Sequence, residues 1–143
     1  MKKKICGGFS LGVLLSIMCL ALVGCGGGGG GDNAATSSVA VVDCSTVISA
    51  TTVTATSQAK FNPQNVPISV NGVVRWITAD PVQDHTVTSG TASSTTATPD
   101  GKFNELLNIN GPPVCLQFTA AGTYNYYCAY HYNVGMIGVV TVQ

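Results

Sequence analysis

Apolar residues are distributed along this chain in three ways. Over residues 11–23 they run almost without a break. From Gly26 to Gly31 there is only glycine, ending at Asp32. Beyond about Ser38 they come in short runs rich in Val and Thr, broken every few residues by Gly, Pro, Asn or Asp, with no sustained 3.6-residue period. Short β-branched runs between turn residues predict strands of an antiparallel sandwich or barrel, not helices. Strands are expected over residues 47–54, 66–70, 73–78, 85–88, 114–118, 123–128 and 137–142. Asn71-Gly72 marks a tight turn between two of them. The Ser/Thr-rich stretch 89–101 reads as a long surface loop, and 104–107 as one helical turn. In the run 123–128, alternation puts Tyr124, Tyr126 and Cys128 on one face and turns Tyr127 outward.

Charge refines the first of these regions. Lys2, Lys3 and Lys4 precede the apolar run, which is short for a membrane span, so residues 1–24 read as a secretory targeting segment. A single N-terminal membrane anchor is the alternative. Leu22-Val23-Gly24-Cys25 resembles the bacterial lipobox, and that resemblance implies cleavage before Cys25, which carries the lipid as the acylated N-terminus. Glycine populates many backbone states, so residues 25–38 read as a flexible tether. A folded domain then occupies 39–143, long enough for one core. Without residues 1–24 the chain keeps Lys60, Arg75 and Lys102 against six acidic residues, a net charge of −3. That charge argues against nucleic-acid binding, which needs a basic surface. The expected location is the cell envelope, lipid-anchored on its periplasmic face. Gly26 in place of an acidic residue points to the outer membrane if the cell is Gram-negative.

The densest chemistry lies between Cys128 and Met136, where a thiolate, the imidazole of His131 and a thioether fall within nine residues. A loop joining two strands can wrap all three around one ion. The chain has two histidines, and the other is His85; beyond the targeting segment Met136 is the sole methionine. Two His, one Cys and a weak Met form the donor set of a copper electron-transfer centre. Zinc held by Cys128 and His131 with Cys44 or Cys115 is the competing reading, although thiolate zinc sites usually bring more cysteine pairs.

The spacing Cys128, two residues, His131, four residues, Met136 resembles the ligand loop of the cupredoxins, in their plastocyanin and pseudoazurin branch. Phe61-Asn62-Pro63, Val73-Val74-Arg75-Trp76, His85-Thr86-Val87 and Gly122-Thr123-Tyr124 follow that family's order. The resemblance spans about 61–142 and leaves 35–59 uncovered. It implies an all-β, Greek-key β-sandwich or barrel holding one type 1 (blue) copper, Cu(I) or Cu(II), through His85, Cys128, His131 and Met136. It also implies that Thr86, where relatives more often carry Asn, hydrogen-bonds near the Cys128 sulfur. His131 should present its ring edge to solvent amid Tyr130, Tyr132, Asn133 and Val134, as the main door for electrons. Tyr127 would be a second door, without the acidic neighbours that usually accompany it.

With Cys25 assigned to lipid and Cys128 to metal, Cys44 and Cys115 remain, and an exported protein permits a disulfide between them; two separate thiols are the alternative. Three functions stay open. One is a monomeric single-electron carrier serving redox protein partners, a cytochrome or another copper protein. Another is copper delivery or sensing. The third is a metal-free adhesive sandwich, which leaves the ligand loop unexplained. No general base or nucleophile stands beside a partner, so an enzyme is not expected.

Overall fold

The computed structural model describes residues 37–143; the targeting segment, Cys25 and most of the glycine tether lie outside them. Ten strands follow in chain order: β1 (Val39–Val41), β2 (Thr51–Thr56), β3 (Lys60–Asn62), β4 (Asn65–Ile68), β5 (Val73–Thr78), β6 (His85–Ala92), β7 (Ala97–Leu107), β8 (Val114–Phe118), β9 (Gly122–Tyr127) and β10 (Ile137–Val142). They form two five-stranded sheets, ordered β1-β8-β5-β2-β3 and β4-β10-β9-β6-β7. The pairs β2–β5 and β4–β10 are parallel and the others antiparallel. This is the all-β sandwich expected from the turn-punctuated Val/Thr runs.

The core lies between the sheets and follows period-two alternation. Val53, Val74, Trp76, Leu116 and Phe118 from one sheet meet Val87, Leu107, Tyr124, Tyr126 and Val140 from the other. Trp76 meets Tyr126 edge-on at 5.4 Å between ring centroids, and Phe118 meets Tyr124 at 5.0 Å. Edge-to-face pairs of this kind add to the burial of the rings themselves.

Four local expectations need correction. Residues 89–101 are not a loop. β6 continues to Ala92, β7 starts at Ala97, and a tight turn closes on Ser93, whose N–H donates to Thr96 O at 2.8 Å. Threonine is a good strand former, and its polarity here suits an exposed hairpin. The ladder slips between Thr88 and Gly90, where Ser89 Oγ accepts the amides of Lys102 and Phe103 at 2.9 and 3.0 Å. Gly90 has φ +131°, and a Cβ there would sit 2.1 Å from Thr98 O. Residues 104–107 are strand, with Phe103 and Leu107 buried and Asn104 and Leu106 exposed. The first long run lies later than expected, over Thr51–Thr56. Asn71-Gly72 does turn, with Gly72 N–H on Ser69 O at 2.8 Å, but β4 and β5 belong to different sheets, so the turn crosses the sandwich.

The segment outside the family resemblance is part of the sandwich. β1 pairs with β8, and Val39, Val53 and Ala55 are core residues. Cys44 and Cys115 are disulfide-bonded, their Cα atoms 5.4 Å apart, fixing the segment after β1 to β8.

Candidate metal centre

Three elements converge at one end of the sandwich. β6 opens with His85, Cys128 directly follows β9, and a 3-10 turn over Tyr132–Val134 lies between His131 and the start of β10. The loop is closed by its own backbone: Cys128 N–H donates to Met136 O at 3.0 Å, His131 N–H to Cys128 O at 3.1 Å, and Met136 N–H to His131 O at 3.2 Å. Gly135 reverses the chain at φ +81°, a conformation costly for other residues. Lys60 reaches across from β3, its Nζ donating to Val134 O at 2.6 Å and Gly135 O at 3.1 Å.

This scaffold gathers three donor atoms. Cys128 Sγ lies 3.8 Å from His85 Nδ1 and 3.4 Å from His131 Nδ1, and the two nitrogens are 3.2 Å apart. A point equidistant from all three is about 2 Å from each, close to a metal–imidazole bond length. Three lone-pair-bearing atoms facing one another repel unless a cation sits among them, so the donor set fits one metal ion. His85 and Cys128 are fully buried and His131 partly so. Burial, and then the neighbouring His131, lower the pKa of His85, while Asp80 pulls it upward; the neutral imidazole that can bind a metal is favoured. Met136, at the end of the ligand loop, is fully buried.

The sulfur has further support. Thr86 N–H points to Cys128 Sγ at 3.4 Å. Thr86 Oγ1 accepts the amide of Ala129 at 2.7 Å, so threonine bridges to the residue after the cysteine through its hydroxyl. The Thr88 hydroxyl donates to Asn104 Oδ1 at 2.8 Å, leaving Thr86 to donate to Thr88 over 2.9 Å. A chain of three hydrogen bonds thus ties the sulfur's strand to the β6–β7 hairpin.

Two expectations about the surface change. Tyr127 is not turned to solvent; it is 4% exposed and packs edge-on against Tyr132, with ring centroids 6.1 Å apart. The side chain on the outer face is covered because the ligand loop folds back over it. His131 does not offer a bare ring edge: its Nε2 lies 3.0 Å from Gln83 Oε1. Tyr130 and Val134 are each 57% exposed, as expected. Nothing in the sequence marks Asp80 and Gln83 as neighbours of the site, and Lys60 counts there only as a charge. The Asp80-Pro81 pair reads as a turn, and no periodicity announces that its carboxylate is buried.

The family model for copper binding proteins, plastocyanin/azurin family, matches residues 47–143. A plastocyanin of Scenedesmus fuscus is 31% identical over 84 residues, covering 58% of this chain and 86% of that protein. A plastocyanin of Capsella bursa-pastoris is 51% identical over 40 residues, covering 28% of this chain and only 40% of that protein. Among solved structures, a reduced amicyanin variant superposes with a TM-score of 0.54 at 21% identity, covering 74% of this chain and 99% of that one. A purple cupredoxin from Nitrosopumilus maritimus gives 0.52 at 25% identity, covering 65% and 99%.

Proposed function

The chain belongs to the plastocyanin/azurin family of copper-binding proteins, and from that premise we propose that it carries single electrons through one copper held by His85, Cys128, His131 and Met136. The observation that carries the reading is the convergence of Cys128 Sγ and two imidazole Nδ1 atoms within 4.8 Å of one another, with His85 and Cys128 buried. Copper in such a donor set cycles between Cu(I) and Cu(II). The chain's part is to hold one geometry for both states, so that little rearrangement accompanies the electron. Closure of the ligand loop by Cys128 and Met136, and its anchoring by Lys60, supply that rigidity. Burial of His85 and Cys128 keeps water and substrates away, which favours transfer over catalysis and opposes the easy release that delivery would require.

Purified protein loaded with Cu(II) is expected to show an intense visible thiolate-to-copper band, one copper per chain and reversible one-electron voltammetry. Cys128→Ser is expected to lose the band. A colourless wild type, or a Cys128→Ser variant that keeps the band, would overturn the assignment.

Electrons enter, in this reading, beside His131. Tyr130, Val134 and the 73%-exposed Val82 are exposed apolar side chains suited to brief contact with a redox protein, with the Lys60 ammonium beside them on the Val134 carbonyl. The burial of Tyr127 argues against it as the principal route. We also propose that Cys25 carries the lipid and that residues 25–38 tether the domain to the periplasmic face of a membrane. The support is the sequence alone: a basic start, an apolar run and Cys25 at its end. Intact mass of membrane-extracted protein should match a chain starting at an acylated Cys25; a mass that includes residues 1–24, or lacks lipid, rejects it.

A further inference from the structure

One side of the centre faces a carboxylate. Asp80 lies on the segment between β5 and β6 and is 3% exposed. Its Oδ1 accepts the amides of Val82 at 2.9 Å and Gln83 at 3.2 Å, and its own N–H donates to Thr78 Oγ1 at 3.1 Å. The carboxylate is therefore held in place without reference to the histidine. Its other oxygen, Oδ2, is 3.4 Å from His85 Nε2. That separation is long for a hydrogen bond, and both atoms are buried with no hydrogen-bond partner among the described residues.

We infer that Asp80 is the positioning residue of the copper ligand His85: it fixes the proton on Nε2 and places a buried negative charge behind the ligand. The inference rests on the reading of His85 as a ligand. Once Nδ1 gives its lone pair to the metal, a neutral imidazole must carry its proton on Nε2, which becomes a donor. A buried donor and a buried carboxylate oxygen without partners are each costly, and here each is the other's available partner. Carboxylates that accept from a metal-bound histidine orient the ring and raise its basicity. A buried negative charge near the site also favours the more positive oxidation state, Cu(II).

The same short segment serves the second histidine. Gln83, whose amide Asp80 holds, turns its Oε1 to His131 Nε2 at 3.0 Å. One segment between two strands thus faces the outer nitrogens of both imidazoles, with a charged group behind the buried one and a neutral amide behind the exposed one.

The test compares wild type, Asp80→Asn and Asp80→Ala as copper-loaded full-length domains. Asparagine retains an oxygen for the Val82 and Gln83 amides, so it carries the test if the alanine variant does not fold. Voltammetry should show Cu(I) favoured at least tenfold more at a given potential in the variants, a rise of about 59 mV for a one-electron couple. Proton NMR of the diamagnetic Cu(I) wild type should show a His85 Nε2–H that exchanges slowly with solvent, and the alanine variant should exchange it at least tenfold faster. A wild-type ring proton that exchanges as fast as free imidazole overturns the inference. So does a blue variant whose Cu(II)/Cu(I) balance moves less than twofold, since a purely structural cap on the segment would leave it there. If the wild type itself takes up no copper, the proposed function fails at the first step; if it is blue and the variants match it, only the role of Asp80 fails.

Discussion

Tyr126 shows what a single residue gives up for packing. Its ring is 1% exposed between Phe61 and Trp76, and its hydroxyl is buried with no hydrogen bond among the described residues. Gly138 makes room for it, since a Cβ there would lie 2.3 Å from Tyr126 Cζ. Burial pushes the Tyr126 pKa up to about 12. The unfolded chain ionises near the ordinary tyrosine value of about 10. The folded state therefore holds its proton more tightly, and this contribution to stability is complete below about pH 10 and disappears as pH rises towards about 12. A rise of that size corresponds to roughly 2–3 kcal/mol. Urea unfolding at pH 8 and pH 11.5 should show that loss in the wild type and a smaller one in Tyr126→Phe. The variant should lose little at pH 8, because the hydroxyl it removes has no partner. Equal losses in both proteins would exclude Tyr126 as the source. At this scale the sequence was informative where chemistry is rare: with two histidines and one downstream methionine, the ligand candidates were few. It was silent on Asp80, because charged residues are seldom buried and no local pattern marks one that is.

Elements were legible where apolar alternation is strong. Strands β5, β8 and β10 have the limits expected from the sequence, and β9 differs by one residue. The β6–β7 hairpin was not legible. Its sequence is polar and threonine-rich, and strand propensity there competes with the loop-like composition of Ser93, Ser94, Thr95 and Thr96. Neither was β1, three residues long, which exists because β8 offers it an edge. The ligand loop is an element of another kind, fastened at both ends and presenting Val134 at its crest. Val134→Glu leaves every donor atom and the Lys60 contact to the Val134 carbonyl untouched, so colour and copper content should persist. Electron exchange with a redox partner should slow several-fold, and more at low salt if the partner is acidic. An unchanged rate would move the entry point away from this rim.

At the scale of the whole molecule, sheet assignment was hidden because turns carry local information alone. Asn71-Gly72 specifies a reversal but not whether the strands it joins will pair, and here they belong to different sheets. The core itself reaches into the stretch 35–59, which the family resemblance had left out, through Val39, Val53 and Ala55. The Cys44–Cys115 disulfide closes a loop with a sequence separation of 71 residues, which by chain entropy stabilises the fold by about 4 kcal/mol. The same bond has a mechanical meaning. Tension applied between Ser37 and Gln143 passes from Cys44 straight into Cys115, so the chain between them bears no pull and roughly 240 Å of contour stays locked away. His85 lies inside that shielded span, whereas Cys128, His131 and Met136 lie on the load path. The metal centre is therefore the joint between the slack and the taut halves of the molecule, and stretching the protein draws on the grip of its own ligands.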